Sequence, residues 1–317
     1  MSGGSTRPFI RAALIDISGN LQVGSRPTPN AVEALQRLRA SSIPFRLCSN
    51  TSKESTDSVI QKLRKIGFEI ASTGEVWTSI GAVRRVLDNM GLKRPYMLLS
   101  RSAREELGNM EGIDDASPEQ PYDSVIVGLT PPAFDYNTLN TAFRLLIGEH
   151  NQGDTKSPPA SYSPESPFKP IPLIATHKAK YVETDSPPGR SLGPGPFVTA
   201  LESAAGVQAH VVGKPTKAFF ELVLDDFTSD EMPAKPGVGQ EREEKGEKDH
   251  PYGRIAVIGD DIEADLGEGA IELGLWRVLV RTGKYRPGDE QRCGVIPPDE
   301  VVDNFAAFVH SLLQSQR

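Results

Sequence analysis

The chain is short of cysteine, of long apolar runs and of basic charge, and each shortage removes a class of protein. Two cysteines, Cys48 and Cys293, in 317 residues cannot build a multi-disulfide framework and fit a reducing compartment. No apolar stretch approaches the roughly 20 residues that a membrane-spanning helix needs. "MSGGSTRPFIRA" lacks the apolar core of a secretory signal, and Ser2 stands where myristoylation requires Gly. Asp and Glu number 42 against 35 Lys and Arg, a formal charge of -7, the wrong balance for a nucleic-acid-binding face. The expectation is a cytoplasmic protein with no nucleic-acid or membrane partner. Proline and glycine are plentiful, at 26 and 29, which suggests a globular body carrying polar insertions.

Two such insertions read as disordered, near 151–170 and 228–251. "NQGDTKSPPASYSPESPFKP" is rich in Ser and Pro, "SDEMPAKPGVGQEREEKGEKDH" is charged and rich in Gly and Pro, and neither has the apolar residues for a core. Elsewhere strand and helix alternate. "AALIDIS" is a continuous apolar run of the kind buried on both faces of a parallel sheet. "TPNAVEALQRLRAS" reads as a helix with Thr28 as N-cap and Pro29 at its first position. "IPFRLCSN" is a second strand, "SKESTDSVIQKLRKIG" a helix closed by Gly67, and "EVWTSIGAVRRVLDNMG" a helix closed by Gly91. From Pro95 the rhythm continues through "YMLLS", "SVIVGL", "YNTLNTAFRLLIG" and "IPLIATH", and it resumes after the second insertion with "RIAVIGDDIEAD" and "WRVLVRTGKY". This is the pattern of a Rossmann-like, doubly wound α/β sheet, in which ligands bind beyond the carboxyl ends of the strands.

Four short segments stand at such ends: "DISG" at Asp16, "CSNT" at Ser49, "GKPT" at Lys214 and "GDDIEAD" at Asp260. Alone, each is a common turn or loop; in this order they make one chemistry. A carboxylate can attack phosphorus and split a difficult transfer into two easier ones. Its repulsion from an anionic phosphate calls for a cation, and hard oxygen ligands such as Asp16 and Asp260 suit Mg²⁺. The Ser49 hydroxyl and Lys214 can then hold the phosphoryl oxygens.

On these motifs, with "FRLLIG", "LIATHKAKYVE", "LGPGPFVTALESAAG", "VVGKPTKAFF" and "VRTGKYRPGDE", the chain resembles the haloacid dehalogenase superfamily of aspartate-nucleophile phosphatases. The resemblance implies that Asp16 is nucleophile and metal ligand and that Lys214 pairs with both Asp16 and phosphate. It also implies that Ser18 lies at substrate and metal, coordinating through its carbonyl, and that Ser49 and Asn50 contact phosphate. Asp260 would be the second carboxylate ligand, with Asp261 and Asp265 supporting the site. The implied division is a core over 1–96 and 211–317 with an α/β cap of the C2 type over 97–210. The implied substrate is a small phosphorylated molecule or phospho-amino acid, and a homodimer through the cap is compatible with it. His177, at the end of a predicted cap strand, is a candidate substrate contact.

Ser18 departs from most of the superfamily, where a second Asp follows the nucleophile at plus two and serves as general acid and base. A serine does neither readily, although the branch that the chain most resembles also carries Ser here. Leaving groups that need no proton, as in P–N bonds and pyrophosphate, should then be favoured over alkyl esters. The alternative is a low-turnover protein that binds a phosphate ligand. Asn20 is a further departure, where Thr or Val is expected. Cys48 reads as a buried thiol, "LGPGPF" as a tight start to a helix, and "RTGKYRPGDE" as a loop punctuated by Gly and Pro.

Overall fold

The computed structural model describes residues 7–108, 122–149, 171–185, 188–227 and 255–315; both polar insertions lie outside them. The chain divides into two compact units, Met1–Ser49 with Val59–Trp77 and Lys214–Arg317, and Asn50–Ser58 with Thr78–Gly213.

The first unit is built on a six-stranded sheet in the order Glu300–Val302, Trp276–Val280, Ile255–Gly259, Ala12–Asp16, Phe45–Ser49, Val76–Thr78. Ala12–Asp16 is central and pairs in parallel with both of its neighbours. All five of its residues are buried, as expected of a strand covered on both faces. Ile15, Leu47, Ile258 and Val278 of the sheet join Leu35, Leu38, Ile60, Leu63, Phe305 and Phe308 from helices in one core. The helices Ala31–Ala40 and Thr56–Lys65 reach that core at three- and four-residue spacing, through Leu35 and Leu38 and through Val59, Ile60 and Leu63.

Two sequence expectations need correction. The first helix begins at Ala31 behind Asn30, which has φ 56°, so neither Thr28 nor Pro29 opens it. Thr28 instead donates its hydroxyl to the Asn20 carbonyl at 2.7 Å, because the chain here closes a small hairpin, Gln22–Val23 against Arg26–Pro27. "EVWTS" is not helical: Val76–Thr78 is a buried strand, and the helix starts at Ser79 with Thr78 capping Gly81 N–H. The β-branched and aromatic side chains of Val76, Trp77 and Thr78 favour that half-extended state.

The second unit has a four-stranded parallel sheet in the order His210–Val211, Leu173–Ala175, Ser124–Val127, Pro95–Leu98. The helices Tyr136–Leu146 and Gly195–Ala205 pack on it through Leu145, Leu146, Val198 and Leu201. The unit starts ahead of Met97 because it includes the helix Ser79–Met90, whose Arg84 donates to the Leu107 carbonyl at 2.7 Å. "LGPGPF" is a tight helix start: Gly193 and Gly195 lie so close to the carbonyls of Ala179 and Lys178 that a Cβ would collide with them.

Candidate active site

Asp16, Ser49 and the Gly259–Asp260 junction close three adjacent parallel strands of the first unit. Register aligns them: Asp16 lies opposite Cys48, and Ile15 opposite Ile258. Topology alone therefore brings a carboxylate, a hydroxyl and a second carboxylate to one edge of the sheet.

Lys214 is buried among them. Its ammonium donates to Asp16 Oδ1 at 2.5 Å, Asp265 Oδ1 at 2.7 Å and the Cys48 carbonyl at 3.3 Å. Asp265 is fixed by the Asp261 N–H on its Oδ2 at 3.1 Å. Asp261 in turn accepts the N–H groups of Glu263 and Ala264 on Oδ1, at 3.1 and 3.0 Å, a local side-chain turn. Asp16, Asp260 and Asp265 each offer an oxygen within 4.8 Å of the others, all three being buried.

This crowding is visible in the ionisation. Burial, then the Asp265 charge, push Asp16 up to about 7 against the pull of Lys214. Burial and the charges of Asp265 and Asp16 raise Asp260 well above the carboxylate range. Burial opposes ionisation of Asp265 too, but Lys214 and Lys284 outweigh it and hold that carboxyl below its ordinary value. Burial likewise disfavours the charge on Lys214, and the surrounding acids more than reverse it. Burial pushes the Cys48 thiol up to about 12, as expected of an inert, structural cysteine.

Asp16 Oδ2 and Asp260 Oδ1 are buried and have no hydrogen-bond partner among the described residues. A buried carboxylate oxygen left without a donor is costly. Two of them within one acidic trio suit a hard divalent cation. Asp16 and Asp260 bring the open oxygens to such an ion, whereas both oxygens of Asp265 already accept, from Lys214 and from the Asp261 N–H.

The structure gathers Asp16, Lys214, Asp260, Asp261 and Asp265, with Ser49 at the adjoining strand end. Ser18 is exposed, and Gly19 N–H next to it donates to the Gln22 carbonyl at 2.6 Å. Asn20 is fully buried and donates its Nδ2 to the Asp16 carbonyl at 2.9 Å. Asn50 and His177 belong to the second unit. His177 is 3% exposed; its Nδ1 accepts the Ala179 N–H at 3.3 Å, which leaves Nε2–H to donate to Ser52 Oγ at 3.2 Å.

The residues missed by sequence reasoning are Thr282, Gly283 and Lys284. Thr282 Oγ1 donates to the Gly19 carbonyl, Lys284 N–H donates to Asp260 Oδ2 at 2.6 Å, and Lys284 Nζ lies 3.3 Å from Asp261 Oδ2. Gly19 and Gly283 have φ of 91° and 57°, and a Cβ on either would strike the Asp260 carboxylate. The signal was available: "TGK" follows the apolar "WRVLV" just as the other motifs follow their strands.

A haloacid dehalogenase-like hydrolase model matches residues 13–112, and a HAD-hydrolase-like model matches 211–308. Human haloacid dehalogenase-like hydrolase domain-containing protein 2 is 37% identical over 305 residues, covering 96% of each chain. Human phospholysine phosphohistidine inorganic pyrophosphate phosphatase is 33% identical over 309 residues, covering 96% of this chain and 95% of its own. The p-nitrophenyl phosphatase from Archaeoglobus fulgidus shares the fold with a TM-score of 0.72 at 22% identity, over 96% of this chain and 100% of its own. NagD from Escherichia coli does so with a TM-score of 0.68 at 18% identity, over 94% and 98%. A parallel α/β core carrying an inserted α/β cap, with an Asp–Lys–Asp–Asp cluster at the strand ends, defines a hydrolase of this type. The chain belongs to the haloacid dehalogenase-like hydrolases and is an enzyme. Among its described residues no helix is long and apolar enough to cross a membrane.

Proposed function

We propose that the chain is a Mg²⁺-dependent phosphohydrolase that works through a phospho-aspartate at Asp16. The observation that carries this is the buried contact of Lys214 with Asp16 Oδ1 at 2.5 Å, beside two carboxylate oxygens that have no donor among the described residues. The Asp16 carboxylate attacks phosphorus, forming an O–P bond as the bond to the leaving group breaks. Water then cleaves the phospho-aspartate and regenerates the carboxylate. Lys214 offsets the negative charge that accumulates as Asp16 meets the phosphoryl group. Ser49 and Asn50 are assigned to the phosphoryl oxygens, and Asp265, held by the Asp261 N–H, keeps Lys214 in place. Asp16, the Ser18 carbonyl and Asp260 would hold Mg²⁺, which supplies Lewis-acid stabilisation of the transferred group.

With Ser18 in place of an acid at plus two, the leaving group is not protonated from that position. Phosphoramidates and pyrophosphate are therefore the assigned substrates, acted on in the cytoplasm. The name of the relative at 33% identity, which includes phospholysine, phosphohistidine and pyrophosphate, supports this direction.

The test is steady-state phosphate release from imidodiphosphate, pyrophosphate and p-nitrophenyl phosphate, with Mg²⁺ and with EDTA. Turnover should require Mg²⁺, favour the first two substrates and vanish in Asp16→Asn. Equal rates for wild type and that variant on every substrate would instead make the chain a phosphate-binding protein.

A further inference from the structure

The acidic cluster has two lysines, and they are used differently. Lys214 is locked, with three acceptors on its ammonium. Lys284 is held by its backbone, through the N–H on Asp260 Oδ2 at 2.6 Å. Among the described residues its ammonium makes one ion pair, with Asp261 at 3.3 Å, and its side chain keeps 24% of its exposure. Asp265, Asp261, Asp260 and Asp16 all act on that ammonium and favour its charged form, against the cost of burial. It is thus a cation tethered beside four acids.

The geometry points to Lys284 as a resident counter-ion that tunes divalent-cation affinity: it stabilises the acidic cluster while no metal is bound and weakens metal binding by its positive charge. This rests on the metal reading given above. Two opposing effects follow from one charge. Removing it leaves the acids less compensated, so the metal-free fold is less stable. It also leaves the cluster more negative, so a divalent cation binds more tightly. A lysine that merely packs its stem would lower stability with and without metal alike. The Asp260 contact comes from the backbone, so changing the side chain leaves it in place.

The experiment is titration of the full chain with Mn²⁺ alone, followed by electron paramagnetic resonance of free Mn²⁺, with melting curves in EDTA and in Mn²⁺. Lys284→Gln should bind Mn²⁺ more tightly, on the order of tenfold. It should melt below wild type in EDTA and gain more than wild type when Mn²⁺ is added. Lys284→Arg, which keeps the charge, should resemble wild type. Asp261→Asn removes one acid and leaves the Lys284 charge uncompensated, so it should bind Mn²⁺ more weakly; this arm stands even if Lys284→Gln does not fold. Equal or weaker affinity in Lys284→Gln, or unchanged affinity in Asp261→Asn, overturns the proposal while the wild-type titration still upholds a metal site. No Mn²⁺ binding by wild type would overturn the metal reading and this inference together.

Discussion

Asn20 donates its side-chain amide to the backbone carbonyl of Asp16 across 2.9 Å of fully buried space. A residue four positions along the chain thus fixes the peptide of Asp16, the proposed nucleophile. Asn20→Ala should lose this hydrogen bond and leave a buried carbonyl unserved, at about 1–3 kcal/mol. Urea unfolding should show the loss in its midpoint with an unchanged slope, and phosphate release should fall with it.

Ser18→Asp should create the acid that the loop lacks. Position 18 is exposed, so a carboxylate there needs no costly burial. A positioned general acid contributes typically 10²–10⁴-fold. The expected outcome is a rise in kcat on p-nitrophenyl phosphate and larger gains on alkyl phosphate esters, with little change on imidodiphosphate. A uniform change across all three would disconnect Ser18 from leaving-group chemistry.

The Asp16 carboxyl makes a pH prediction whose sign is unusual for an acid. Its folded value, about 7, lies above its ordinary value of 3.8. Between those limits the folded chain holds a proton that the unfolded chain has lost. Stability attributable to this group therefore falls as pH rises from about 4 to about 7, by at most about 1.4 kcal/mol per unit. Asp16→Asn removes that slope. In EDTA, the stability of the variant relative to wild type should climb across this window and level off above it, as read by urea unfolding at each pH.

The two cysteines should react very differently. Cys48 is buried, with its thiol pushed up to about 12, whereas Cys293 is exposed. At pH 8 only about one Cys48 in ten thousand is a thiolate. Iodoacetamide should label one site in the folded protein, Cys293, and two in urea, as counted by peptide mass. Rapid labelling of Cys48 in the native state would show that the strand Phe45–Ser49 opens.

Much of the site was legible because strand ends announce themselves. Asp16, Ser49 and Asp260 each follow an apolar run, and a parallel sheet must bring such ends to one edge. Lys214 was legible through the phosphate chemistry that "GKPT" offers and not through its strand, since it follows the two-residue strand His210–Val211, too short to signal itself. The helix at Ala31 was misplaced because Thr28 and Pro29 imitate a helix start, while the real competition was the hairpin that Thr28 closes onto Asn20. Lys284 was passed over because "TGKYRPG" has the composition of a turn. Its importance lies in a backbone N–H and a tethered charge, which composition does not report. His177 stood out as a lone histidine, and its ring nitrogens meet Ser52 and Ala179.

The strand order has a consequence for how the molecule comes into being. Ala12–Asp16 lies between Phe45–Ser49, made early, and Ile255–Gly259, made late. On the ribosome, one edge of this strand must wait for its partner while the whole second unit is synthesised, roughly ten to forty seconds at ordinary elongation rates. During that interval the nascent chain carries an unpaired, apolar strand edge, the feature most prone to pairing with another chain. The sheet of the second unit, whose strands run from Pro95 to Val211, can close first. Assembly is therefore expected to run from the inserted unit to the catalytic one, with the acidic cluster completed only as the final fifth of the protein emerges.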